Sequence, residues 1–168
     1  ALVREFGDVT VTAAIKHSTP CGVAIGENGY DSYMKAYNAD PQSIFGGIVA
    51  VNYKVDKATA TEMNKIFLEI VAAPDFDEDA LAVLKQKKNL RILKLTNLEA
   101  YEAKYDIKYL EGKVLVQNLN SKMIDEMKVV TNATPTKEQM SDMEFGMRVV
   151  KYVKSNAICI VKNGVTLA

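Results

Sequence analysis

The spacing of apolar residues changes several times along the chain, and each change marks an element. Residues 9–17 form a β-branched run that ends in the polar, proline-containing stretch 18–22, and 22–26 is a second short apolar run; both read as strands. Tyr30, Tyr33, Met34 and Tyr37 fall at i, i+3, i+4 and i+7, which predicts a helix over 30–38 packed on a sheet and broken by Asp40-Pro41. Residues 44–51 are a buried-strand candidate interrupted by Gly46-Gly47, and Asp56 is placed to cap a helix running to about Lys65. Residues 66–73 are the next strand, stopped by Pro74. Asp75, Asp77, Glu78 and Asp79 then crowd the first turn of a helix whose last turn carries Lys85, Lys87 and Lys88, the order of charge that complements a helix dipole. Residues 90–95 read as a strand and 107–118 as two strands joined at Glu111-Gly112. Thr136 to Tyr152 has the pattern of a helix, with Thr136 as N-cap and Gln139 completing a capping box. The last strands predicted are 153–161 and 165–168, around the turn Asn163-Gly164. Alternation of this kind, without a repeat or a linker, points to a layered α/β fold in one compact unit. Residues 1–6 look like the end of a helix and 165–168 like the start of a strand, so the chain is expected to be a piece of a larger protein.

Composition narrows the function classes. The 168 residues are 48% apolar and 25% charged, with 21 Lys+Arg against 21 Asp+Glu. A neutral balance leaves no electrostatic footprint for nucleic acid or an anionic membrane, and no apolar run approaches the ~20 residues of a membrane span. The expected compartment is the cytoplasm. Cys21 and Cys159 stand far apart in a chain large enough to build its own core, and both are expected reduced.

His17, the single histidine, follows Lys16 where a strand runs out into Ser18-Thr19-Pro20-Cys21-Gly22. An imidazole titrates near neutrality, and an adjacent ammonium can stabilise an anion growing on a carbonyl. Adjacent strand residues point to opposite faces, so the pair converges on one substrate only if the backbone turns here; a histidine that merely satisfies loop hydrogen bonds is the alternative. In Asp40-Pro41-Gln42-Ser43-Ile44-Phe45-Gly46-Gly47 the glycine pair allows close approach of a ligand and Phe45 offers a ring face, or the segment is a packed bulge. Glu69 is a carboxylate inside an apolar run, in need of a partner unless it faces water. Asn156, after Lys154-Ser155, opens a strand at 157–161 and can donate to an oxyanion or cap a turn. His17-Ser18-Thr19 lacks the glutamate, and Cys21-Gly22-Val23-Ala24 the second cysteine, of a zinc deaminase, so no metal site is expected. Phosphate-cradling and dinucleotide fingerprints are absent.

Five ordered blocks resemble the bifunctional purine-biosynthesis family that joins AICAR formyltransferase to IMP cyclohydrolase: the K-H-x-x-P-x-G segment within 14–26, then 39–50, 69–76, 80–93 and 153–158. The resemblance spans essentially the whole chain. It implies transfer of a formyl group from 10-formyltetrahydrofolate to the 5-amino group of AICAR, on a cytidine-deaminase-like three-layer α/β/α fold with a mixed sheet. His17 would accept the proton of the attacking amine. Lys16 would stabilise the formyl oxyanion or assist the leaving folate nitrogen, and Asn156 would position AICAR. By the same resemblance Gln42, Phe45 and Gly46 line the folate side, Glu69 holds the aminoimidazole carboxamide, and Ser155 lies in a stretch associated with a structural monovalent cation. Residues 1–168 correspond to the N-terminal half of the formyltransferase domain, without the cyclohydrolase domain or the C-terminal half. Relatives build the active site across a homodimer, so the isolated chain is expected to be inactive. A zinc-dependent deaminase-like enzyme and a non-catalytic dimerisation fragment are the alternative readings.

Overall fold

The computed structural model describes residues 1–96, 104–120 and 122–168. A short 3-10 helix, Leu2–Phe6, leads into β1 (Val11–Lys16), β2 (Thr19–Ile25), α1 (Gly29–Ala39), β3 (Gly47–Val51), α2 (Lys57–Met63), β4 (Leu68–Ala73), α3 (Glu78–Leu84) and β5 (Arg91–Lys94). A separate hairpin, β6 (Tyr105–Leu110) with β7 (Lys113–Asn118), precedes α4 (Lys137–Val150) and the short strands β8 (Val161–Lys162) and β9 (Val165–Thr166). Seven strands form one sheet in the order β5-β4-β3-β1-β2-β9-β8. β3, β4 and β5 are parallel, as crossovers through α2 and α3 require, whereas β1 runs antiparallel to both β2 and β3. The sheet is therefore mixed.

Strand alternation divides the side chains between two cores. Ala14 of β1 joins Tyr33, Val49, Met63 and Leu84 under α1, α2 and α3, while Val11 and Ala13 join Phe6, Val23, Phe145 and Val149 under the 3-10 helix and α4. The result is a three-layer α/β/α arrangement. α1 lies close on β2 because residue 22 has no side chain: a Cβ there would stand 2.2 Å from the Ala36 carbonyl oxygen. On the opposite face the Phe6 and Phe145 rings meet at 5.6 Å. Beside them Glu5 accepts from Lys151 Nζ at 2.8 Å and from the Tyr152 hydroxyl, and Arg148 donates to the Glu5 carbonyl. Asp142 of α4 accepts from the backbone N–H groups of Asn163 and Gly164 at 2.9 and 2.8 Å, which ties the β8–β9 turn to the helix.

Local signals hold where they are strongest. Asp56 accepts from Thr59 N–H at the start of α2, Thr136 and Gln139 form the reciprocal capping box of α4, and the 105–118 hairpin turns at Glu111-Gly112. Several boundaries differ from the pattern. The helix end read at residues 1–6 is a 3-10 helix over Leu2–Phe6. Residues 44–46 belong to a turn, because Asp40 accepts from Ser43 N–H and Gly46 takes φ +65°, so β3 starts only at Gly47. Lys85, Lys87 and Lys88 fall past the end of α3. Residues 157–160 are outside the ladder: β8 is the edge of the sheet, and Ile160 alone of them bonds across, to Leu167 and Ala168. Part of the weakly patterned connection after Thr96, residues 97–103 and 121, lies outside the described residues.

Candidate active site

The antiparallel pairing of β1 with β3 brings the C-terminal end of β1 beside the N-terminal ends of β2, β3 and β4. The sequence-predicted residues gather at this end. Lys16 pairs with Thr19 in the β1–β2 ladder, so His17 and Ser18 are the two central residues of a tight hairpin. Their φ values, 52° and 63°, are both left-handed, as a type I′ turn requires and as residues with a side chain rarely tolerate. The backbone therefore does turn at His17, and more tightly than a loop over 18–22 would. Thr19 to Gly22 are part of β2, with a bulge where Ile15 faces Pro20, and Pro20 stands where β2 has lost its outer neighbour.

Lys16 is half-buried. Its Nζ donates to the carbonyl oxygens of Phe45 and Gly46 at 2.9 and 3.0 Å. The turn that presents those carbonyls is held from below by Asp40, whose carboxyl lies below the usual aspartate value because the Ser43 side chain and N–H donate to it. It is held from the side by Gly46 N–H, which donates to the Phe67 carbonyl at 2.8 Å. The Phe45 and Phe67 rings sit 5.7 Å apart and tilted, and they are 60% and 42% exposed. Two large aromatic faces open to solvent beside an anchored ammonium suit a planar heterocycle carrying a polarised carbonyl. Phe67 is absent from the sequence reading because it precedes β4 within one continuous apolar run, where nothing separates an exposed ring from a core one. Its contact with Phe45 across 22 positions is visible only in the fold.

The loop after α4 closes on the same turn, where Lys154 Nζ donates to the His17 carbonyl at 3.2 Å. Ser155 and Asn156 follow directly and are exposed, with a cis peptide bond between them. Gln42 is exposed on the turn before β3, and its carbonyl accepts from Phe45 N–H. Glu69 is the second residue of β4 and is exposed; of the two readings left open, a partnered carboxylate or one facing water, it takes the second, though on a strand inside the sheet and not at its edge. The structure thus joins Lys16, Phe45, Gly46 and Phe67 in one contact set and His17 with the 154–156 loop in another. Gln42 joins the first set only through its carbonyl, which accepts from Phe45 N–H, and Glu69 stands at the same end of the sheet, exposed on β4.

Among the described residues no three His, Cys, Asp or Glu side chains cluster to hold a metal ion. Cys21 and Cys159 are free thiols whose pKa values are pushed up by burial. A groove of about 970 Å³ lies between α4 and the segments around 124–135 and 157–161, and none of the candidate site residues lines it. Among the described residues no helix is long and apolar enough to cross a membrane.

The family model of the AICARFT/IMPCHase bienzyme matches residues 1–168. The chain belongs to this family. It is 59% identical over 164 residues to the bifunctional purine biosynthesis protein PurH of Clostridium botulinum strain Eklund 17B, covering 98% of this chain and 32% of that protein. It is 61% identical over 161 residues to PurH of Clostridium perfringens strain SM101, covering 96% and 32%, and 54% identical over 169 residues to PurH of Clostridioides difficile strain 630, covering 99% and 33%. The chain spans about a third of the length of these curated relatives. The AICARFT/IMPCHase relatives are named as bifunctional enzymes of purine biosynthesis, which places the Lys16-His17 turn in an enzyme family.

Proposed function

We propose that this chain supplies the Lys16-His17 part of an active site that moves a formyl group from 10-formyltetrahydrofolate to the 5-amino group of AICAR. The observation that carries the reading is the pair of contacts that fixes both residues at one sheet end: Lys16 Nζ on the Phe45 and Gly46 carbonyls, and His17 in a left-handed turn held by Lys154. Strain at a residue with a side chain persists only where its surroundings over-determine it, and such residues concentrate at functional sites. In the step proposed, the amine nitrogen of AICAR bonds to the formyl carbon and the carbonyl electrons move onto oxygen. Lys16 faces that oxyanion. His17 takes a proton from the nitrogen, the bond from the formyl carbon to folate N10 breaks, and a proton returns to N10. Phe45 and Phe67 offer their faces to the folate ring system, Gln42 and Gly46 border it, and Asn156 and Glu69 address AICAR. The family reading also carries a cytoplasmic homodimer, the first half of the formyltransferase domain for residues 1–168, and little or no turnover by the chain alone.

The test is formyl transfer by the full-length protein, followed as tetrahydrofolate release in the presence of AICAR. His17→Ala should lower kcat by about 10²–10⁴-fold, the range of a lost general base, with the cyclohydrolase activity of the same polypeptide unchanged. A wild-type protein that transfers no formyl group, or a His17→Ala variant at full rate, refutes the reading.

A further inference from the structure

We propose that Gly46 is a positioning residue that aims Lys16. The inference rests on the formyl-transfer reading of Lys16 and adds a residue that acts through it. An ammonium carries three protons on a flexible four-carbon stem, and an unanchored lysine would have to be ordered at each turnover. Here two protons are directed at the Phe45 and Gly46 carbonyls, which leaves one to face a ligand. A donor preorganised in this way needs no reorganisation when charge develops. The space for the ammonium exists because residue 46 has no side chain: a Cβ there would lie 3.0 Å from Lys16 Nζ and 3.5 Å from the Phe67 ring. The left-handed φ of +65° at Gly46 orients the two carbonyls, and its N–H on the Phe67 carbonyl fixes that orientation. An alanine at 46 meets the far end of a flexible side chain, so the Lys16 ammonium must give by a few tenths of an ångström and its aim shifts while the fold persists.

Gly7, also at positive φ, provides a control. It has φ +56° and nothing within 4 Å of a would-be Cβ, so Gly7→Ala carries the left-handed strain without touching Lys16. In the full-length protein Gly46→Ala should lose about 10–100-fold in kcat, short of the ~10²–10³-fold loss seen when such a donor is removed outright. Gly7→Ala should keep wild-type kcat. On a Lys16→Ala background, Gly46→Ala should slow the reaction no further, because its effect runs through the missing ammonium. A Gly46→Ala effect that is undiminished on that background, or equal to that of Gly7→Ala, overturns the proposal. If Lys16→Ala itself retains full rate, the formyl-transfer reading of Lys16 fails first. A measurement without any variant covers the case in which Gly46→Ala does not fold: NMR relaxation of the Lys16 Cε methylene should show an ordered group beside the mobile one of the exposed Lys57, and equal mobility overturns the proposal.

Discussion

Removing the Glu5 carboxylate should loosen α4 and leave the helices on the other face untouched. Glu5 Oε1 accepts from Lys151 Nζ and from the Tyr152 hydroxyl, with the Glu5 and Lys151 side chains 23% and 14% exposed. Hydrogen bonds to a charged group contribute about 1.5–3 kcal/mol each when well buried, and discounting both for partial exposure leaves about 2 kcal/mol for Glu5→Ala. The apolar contact of Phe6 with Phe145 stays in place, so the helix should open more often and not detach. Two kcal/mol corresponds to about 30-fold faster native-state hydrogen exchange through local opening. Amides of α4 in the full-length protein should show that increase and those of α1 should show none. The pH dependence follows from the same carboxylate. Burial raises its pKa, but the bonds from Lys151 and Tyr152 outweigh burial and hold it below the ordinary 4.5. A depressed carboxyl pKa contributes its full stability above the unfolded value and loses it as pH falls through the folded one. Wild-type α4 protection should therefore decline below about pH 4.5, and Glu5→Ala should lack that component. Unchanged α4 exchange in the variant, or an equal rise in α1, would show that the helix is held by something other than this network.

Two further outcomes test the turn that carries His17. Ser18→Gly places the residue best suited to φ +63° at the second turn position; relief of about 1–2 kcal/mol of left-handed strain, less the ~0.5–1 kcal/mol entropy of glycine, should raise the urea midpoint by an amount worth about 0.5 kcal/mol. A lower midpoint would mean that the Ser18 side chain is itself stabilising. Lys154→Met frees the His17 carbonyl, and losing a hydrogen bond of about 0.5–1.5 kcal/mol should reduce formyl-transfer kcat by about 3–10-fold, with Lys154→Arg closer to wild type. Equal loss in both variants would count against a role for this contact.

Elements governed by neighbours in the chain follow directly from the residue pattern. The apolar and aromatic residues at i, i+3, i+4 and i+7 of α1, the Asp56 cap and the Thr136–Gln139 box each act within one or two turns, and each is found where the pattern places it. The site depends on contacts of another range. Lys16 meets the Phe45 and Gly46 carbonyls 29 and 30 positions away, and Lys154 reaches His17 across 137. Hydrophobic periodicity carries no information about such pairs, so Lys16 and His17 stood out as residue types in a suggestive place while the atoms that orient them did not. Phe67 and Glu69 show the same limit from the other side. Both belong to an apolar run that reads as buried, and whether they are covered depends on what packs above that end of the sheet. The family resemblance implies a ligand for Glu69 and is silent on Phe67.

The sheet also sets an order of events during synthesis. The outer side of β2 is completed by β9, through the Ala24–Val165 pair and the Val23 N–H that donates to the Thr166 hydroxyl 143 positions later. At a translation rate of ~5–20 residues per second, β2 leaves the ribosome roughly 7–29 s before the strand that covers it. For that interval the nascent chain presents an unpaired strand edge around Val23 and Ala24, an opening that a neighbouring polypeptide on the same message, or a chaperone, is in a position to occupy first.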